Sequence, residues 1–182
     1  MKNKFTILLL AITTSAFSQV IIGDDVGTVT DKTSVLLEFP TGQNKGIILP
    51  YVKNSISEPL LVAGTILLDA SNPAKAKVKY YKGFGNWFDL SNGNEADITS
   101  EMALQNGTPE EILCAKVIIG ATSSAADGVL ILESTTKAMI LPIVASTDDI
   151  PSPAPGMMVY INKAGAKRLA VYNGEGWTYW KP

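Results

Sequence analysis

The chain has 182 residues, of which 46% are hydrophobic and 18% are charged, a composition typical of a folded protein rather than a disordered one. Without Lys2 and Lys4, which belong to the N-terminal segment described next, 13 basic residues face 17 acidic ones, a net charge of about −4. This mildly acidic balance, with dispersed charges and Arg168 as the only arginine, argues against a nucleic-acid partner, which needs clustered Lys and Arg. The lack of any histidine removes the commonest general base and the usual zinc ligand.

The first eighteen residues have the pattern of a secretory signal peptide. Lys2 and Lys4 precede an apolar run over residues 5–12, and Ala16 and Ser18 are the small residues expected before a cleavage site. The mature chain is then predicted to begin at Gln19. A run of about eight apolar residues is too short to cross a bilayer, which takes roughly 20. No later segment is long and apolar enough either, so we expect an exported protein without a membrane span.

The rest of the chain repeats itself. Residues 45–52 match residues 137–144 at five of eight positions, and a glycine follows fourteen residues after the proline of each segment. Shorter matches join residues 20–23 to 117–120, residues 35–38 to 130–133, and residues 81–87 to 172–177. Because identity and spacing are both kept, the sequence predicts two tandem copies of one unit. We call residues 19–91 the first module and residues 117–182 the second module.

Within each module the local pattern is that of β-strands. Short runs rich in Val, Ile, Leu and Tyr are separated by Gly, Pro, Asn and Ser. Residues 64–69 are predicted to form a hairpin with residues 78–81, and residues 156–161 one with residues 169–172. Asn173-Gly174 is a turn dipeptide that should fold the last aromatic strand back. The predicted fold class is therefore mainly β, with two small β-rich modules.

Residues 92–116 are predicted to be a short, partly helical connector. Residues 97–105 could form a short helix, and Thr108-Pro109-Glu110-Glu111 has the form of a helix start. A flexible linker is the alternative. The only cysteine, Cys114, cannot form an intrachain disulfide. We interpret it as a small buried apolar residue, with an intermolecular disulfide as the alternative.

No catalytic, metal or cofactor site is apparent in the sequence. Adjacent acids occur at Asp24-Asp25, Glu110-Glu111 and Asp148-Asp149. Neighbouring residues of a strand point to opposite faces, so these doublets do not converge on a substrate and are interpreted as solvated turns. The glycines around Phe84 precede a strand and not a helix, unlike a phosphate-binding loop. The chain is predicted not to be an enzyme and to need no cofactor.

The aromatic residues of the hairpins are the one feature that suggests binding. Tyr81 and Trp87 recur as Tyr172 and Trp177, which is typical of core positions. The candidate contacts with a protein partner or a glycan are Phe84, Phe88, Tyr179 and Trp180.

The motifs resemble modules in secreted and fibre-like surface proteins of Bacteroidetes, notably flavobacteria. The order is Val-Leu-x-x-Glu, Lys-Gly-x-x-Leu-Pro, Pro-x-Pro-Gly-x-x-Val-Tyr and Tyr-Asn-Gly-x-x-Trp, with residues 152–177 closest. Those modules usually have Leu-Pro-Pro-Arg where this chain has Leu49-Pro50-Tyr51. The resemblance implies a noncatalytic surface or fibre module that oligomerises.

The predicted function is therefore an exported structural or interaction subunit of a bacterial cell-surface complex, such as an adhesin or a gliding or secretion-associated filament. The expected partner is a larger surface protein or further copies of the chain. Relatives often use the type 9 secretion route with a C-terminal sorting domain, and no such domain is expected after residue 182. The expected location is the cell surface or the extracellular space, with the periplasm as the alternative. The alternative function is a carbohydrate-binding protein that uses the hairpin aromatics, and a glycan array separates the two.

Overall fold

The structure is a computed structural model that describes residues 19–54, 56, 61–103 and 115–181. The predicted signal peptide, the helix start at residues 108–111 and Cys114 lie outside the described residues. Over the described part of the chain the fold is mainly β with a short helix, which confirms the predicted fold class.

The first module contains seven strands among its described residues. They are β1 (Val20–Ile21), β2 (Val35–Glu38), β3 (Ile47–Ile48), β4 (Tyr51–Val52), β5 (Ile66–Asp69), β6 (Lys77–Gly83) and β7 (Asn86–Asp89). Strand β1 pairs in parallel with β2, and β4 pairs in parallel with β5. The chain then forms an antiparallel meander in which β6 pairs with both β5 and β7. The predicted hairpin of residues 64–69 with 78–81 is confirmed.

The second module also contains seven strands within the described residues. They are β8 (Val117–Ile119), β9 (Leu130–Leu132), β10 (Ala138–Ile140), β11 (Ile143–Val144), β12 (Met157–Ile161), β13 (Arg168–Tyr172) and β14 (Trp177–Trp180). Strand β8 pairs in parallel with β9, β11 in parallel with β12, and β13 antiparallel with β12 and β14. The order of parallel and antiparallel pairings is the same as in the first module. That the modules are copies of one unit stays a prediction, which superposing them tests.

Two further pairings join the modules. Strand β10 of the second module lies parallel to β2 of the first, with Met139 beside Leu37 and Ile140 beside Glu38. Strand β3 of the first module lies antiparallel to β12 of the second, with Ile48 beside Met157. The β2–β10 pairing places strands of both modules in one three-stranded sheet, and β3 extends the sheet of β11 to β14 to five strands.

The connector packs against the first module. Helix α1 (Thr99–Ala103) begins after Asp97, whose side chain accepts a hydrogen bond from the Thr99 amide at 3.0 Å. The amide of Ile98 donates to the Pro73 carbonyl oxygen at 2.8 Å, and both Ile98 and Met102 are buried. The predicted short helix is therefore present, and its buried side chains fix it to the first module.

The main core is shared by the two modules. Buried residues of the first module and the connector, including Leu68, Val78 and Ile98, lie in one cluster with Met158 and Val171 of the second. A second cluster belongs to the second module alone, and a third is built on β2 and β8. Because modules of about 70 residues bury too little apolar surface alone, sharing a core stabilises both.

Candidate interaction surface

The contact between the modules is closed by hydrogen bonds as well as apolar packing. The Tyr51 hydroxyl donates to the Pro155 carbonyl oxygen at 2.8 Å, and the Trp180 indole N–H donates to the Leu90 carbonyl oxygen at 2.9 Å. The Asn173 side chain donates to the Asn94 carbonyl oxygen at 3.0 Å and is itself buried. These bonds satisfy polar groups that the contact removes from water.

Strand β3 lies unusually close to its antiparallel partner β12. The Leu49 amide donates to the Gly156 carbonyl oxygen at 3.1 Å. A Cβ atom placed on Gly46 would collide with Met157 Cγ and lie 3.0 Å from the Met158 carbonyl oxygen, so only glycine fits at residue 46 without a shift. In the aligned segment of the second module, Ala138 stands at this place.

The four predicted contact residues do not form one surface. Phe84 is fully exposed at the tip of the β6–β7 hairpin, where its backbone has a φ of 53°. Phe88 and Trp180 are partly buried and pack edge to face, with ring centroids 5.2 Å apart. Both belong to the contact between the modules. The sequence did not predict this role, because no local motif indicates which strands from distant parts of the chain will contact each other.

Tyr179 directly precedes Trp180 on the outer strand β14 but makes its side-chain contacts with other residues. Its hydroxyl oxygen is 2.9 Å from the Thr147 hydroxyl oxygen, and the Arg168 guanidinium lies 5.2 Å from its ring centroid. These contacts orient the ring beside a shallow groove also lined by Asp148 and Lys163. Part of the tyrosine remains exposed.

The matched aromatic pairs behave alike in both modules. The Tyr81 and Trp87 ring centroids are 5.1 Å apart, and those of Tyr172 and Trp177 are 5.3 Å apart. Each tryptophan has intermediate exposure and packs on a tyrosine of its own module. The core interpretation of Trp87 and Trp177 predicts that both are mainly buried and pack within their own modules; the packing is confirmed, but both rings are only partly buried.

Among the described residues, the charged group that the fold buries most completely is the Glu38 carboxylate at the end of β2. It accepts hydrogen bonds from the amides of Thr28 and Val29, and Lys32 Nζ lies 3.3 Å from its other oxygen. Burial acts to raise the pKa of Glu38, but these donors outweigh it and hold the pKa below its usual value. The carboxylate thereby fixes the loop between β1 and β2, a structural role.

The described residues offer no cluster of acids, cysteines or histidines able to hold a metal ion. Asp24, Asp25, Asp148 and Asp149 are exposed, as the sequence predicts for solvated turns, whereas Glu110 and Glu111 lie outside the described residues. Across the part of the chain that the structure describes, no helix is both long and apolar enough to span a membrane.

Apolar side chains are exposed along two sheet edges. In the second module they surround β9, which pairs only with β8 among the described strands; they are Val117, Val129 and Leu130. In the first module they include Ile48 on β3 and Val62 in the loop that leads to β5. Unpaired strand edges and contiguous apolar patches mark surfaces where other chains bind.

Comparison with known proteins found a family match for one of these regions. Residues 118–182 match the family described as the phage tail like trimerisation region. This segment contains nearly all of the second module, including both β9 and β12. Searches among curated proteins and among solved structures found no significant match.

Proposed function

We propose that this chain is a noncatalytic structural subunit of a fibre-like assembly and that it forms a homotrimer. The match of residues 118–182 to a trimerisation region carries the proposal. The matched segment begins at β8 and contains the exposed edge of β9, so the region with the family likeness also has apolar surface for another chain. Burial of that surface on assembly stabilises the oligomer by about 25 cal/mol per Å² of apolar area.

Light scattering coupled to size exclusion tests the trimer on the chain that begins at Gln19. The proposal predicts a mass three times that of one chain at micromolar concentration. A single-chain mass over the whole accessible concentration range would contradict it.

We place the assembly at the surface of a bacterial cell. The proposal rests on the signal-peptide pattern of residues 1–18 and on the resemblance to fibre-like surface modules of Bacteroidetes. A larger surface protein remains a proposed partner. Gentle release of the tagged protein from its own cells should yield a complex whose stoichiometry identifies that partner. Digestion of intact cells with protease should remove the chain if it lies outside the outer membrane and should spare a periplasmic chain.

Glycan binding is the second candidate function, and the exposure of Phe84 favours it. An aromatic ring that is fully exposed on a hairpin tip can stack on the apolar face of a sugar. A glycan array probed with the natural chain and with Phe84→Ala tests this function. Binding that the substitution abolishes would support it, and no binding by the natural chain would contradict it.

A further inference from the structure

We propose that a second copy of this chain docks head to tail on the first, with its β3 beside β9 and its β5 beside β10. The contact repeats between chains the two pairings that join the modules within one chain. This inference rests on the proposed trimer and specifies which strand edges form it.

The pairings within the chain provide the template. Strand β2 is covered by β10, and β12 is covered by β3. By sequence alignment, β9 of the second module corresponds to β2, and β5 of the first corresponds to β12. Among the described residues, neither β9 nor the start of β5 has the partner that its counterpart has. Each end of the chain therefore carries one half of the same contact.

Residues on β9 are more exposed than the corresponding residues on β2, as expected for a strand that lacks a neighbour. Val35 on the covered strand β2 is 5% exposed, whereas its counterpart Leu130 on β9 is 43% exposed. The aligned glutamates follow the same trend, since Glu38 at the end of β2 is buried and Glu133 directly after β9 is partly exposed. Within the part of the chain that the structure describes, the edge of β9 is thus apolar and uncovered where β2 is closed by β10.

The start of β5 differs from β12 in the same way. A Cβ atom placed on Gly156 would lie 3.5 Å from the Cβ of Leu49, which β3 brings against it. A Cβ atom placed on Gly64, the counterpart, would find no atom of the described residues within 4 Å. Gly156 is buried and Gly64 is exposed. The aligned counterpart of Leu49 is Leu141, which directly follows β10, so the next chain's β5 can receive this residue.

Side-chain sizes fit the second contact as well as the first. Inside the chain, Gly46 lies against Met157, which leaves no room for a larger residue at position 46. In the proposed contact, Ala138 of one chain lies against Thr65 of the next, because these residues align with Gly46 and Met157. Ala138 is larger than Gly46 and Thr65 is smaller than Met157, so the two changes in size offset each other.

A second copy is the occupant that supplies the required strands at both edges. Strand β10 has a free edge opposite β2, and β3 has one opposite β12, within the described residues. The second module of one chain then contacts the first module of the next. In this single contact, β9 of one chain pairs with β3 of the next, and β10 of the first chain pairs with β5 of the next. A head-to-tail contact of this kind closes into a ring when its rotation permits, and three chains give the proposed trimer.

Cysteine cross-linking tests the register. Within the chain, Ile48 is the strand partner of Met157. The corresponding partners between chains are Ile140 and Thr65. In a Cys114→Ser background, mild oxidation of the chain carrying Ile140→Cys and Thr65→Cys should link most chains into covalent dimers and trimers on a nonreducing gel. The matched control, Ile48→Cys with Met157→Cys, should form its disulfide within single chains.

Mixing two differently tagged chains separates contacts between chains from contacts within one. Chains carrying Ile140→Cys alone and chains carrying Thr65→Cys alone should form a mixed covalent dimer. Failure to cross-link, while the control pair forms and the chain remains trimeric, would overturn the head-to-tail contact and leave the trimer standing. A cross-link from Ile48→Cys to Thr65→Cys of another chain would also overturn it, because first modules would then meet each other. A monomeric natural chain would overturn both proposals.

Discussion

The Leu49 amide donates a hydrogen bond to the Gly156 carbonyl oxygen at 3.1 Å, and this bond fixes the first module on the second. Leu49 directly follows β3, and Gly156 directly precedes β12. Gly156 has a φ of 77°, a conformation that favours glycine, and so its carbonyl can face Leu49 without strain. At the pairing of β3 with β12, small changes in side-chain size should therefore have large effects on stability.

Gly46→Ala should destabilise the chain because a methyl group at residue 46 collides with Met157 and with the backbone at Met158. We expect the free energy of unfolding to fall by about 1–3 kcal/mol, the usual cost of overpacking. Urea denaturation at a fixed chain concentration measures it. Gly176→Ala is the control, because a Cβ atom there meets nothing within 4 Å. Equal stability of the two variants would show that β3 does not approach β12 this closely.

The edge-to-face contact of Phe88 with Trp180 should appear as a coupling free energy. A double-mutant cycle with Phe88→Leu and Trp180→Leu should give a coupling of about 0.5–1.5 kcal/mol in unfolding free energy, as found for aromatic pairs. The control cycle uses Phe84→Leu with Trp180→Leu and should give a coupling near zero, because Phe84 is fully exposed. Similar coupling in both cycles would mean that the rings do not meet as the structure shows.

Glu38 should make stability depend on pH. Its pKa is lowered in the folded chain, so its stabilisation is complete well above the unfolded value of about 4.3 and is lost as pH falls through the folded pKa. Glu38→Gln should lower the free energy of unfolding at pH 7 by roughly 1.5–3 kcal/mol, the scale of hydrogen bonds to a charged group. Below pH of about 4 the difference from the natural chain should shrink.

The control for this pH series is Glu175→Gln, because Glu175 is exposed. It should change the free energy of unfolding little at either pH. If Glu38→Gln is as stable as the natural chain at pH 7, the Glu38 carboxylate does not hold the loop between β1 and β2.

The local signals in the sequence predicted the strands and turns well. The Asn173-Gly174 turn forms between β13 and β14, with Gly174 at a φ of 120°. The pairings of β2 with β10 and of β3 with β12 were not predicted. Such pairings join segments far apart in the chain, and neither composition nor turn residues encode which distant edge a short strand will meet.

The same limit explains the interaction surface. The aromatic residues were predicted to contact a partner because they are large, yet the partly buried Phe88 and Trp180 pack together between the modules. The uncovered edge at Leu130 carries ordinary aliphatic residues, and in the sequence it looks the same as the covered edge at Val35. Only the structure distinguishes a strand that has a neighbour from one that lacks it.

Native mass spectrometry of the natural chain beside Leu130→Lys tests the central claim, that the uncovered edge of β9 drives assembly. Leu130 is exposed in the single chain, so a lysine there should leave the fold intact while placing a charge inside the proposed contact. Phe84→Lys, at a fully exposed residue outside β9, is the matched control. The account predicts trimers for the natural chain and for Phe84→Lys and single chains for Leu130→Lys. Single chains for the natural protein, or trimers for all three, would contradict it.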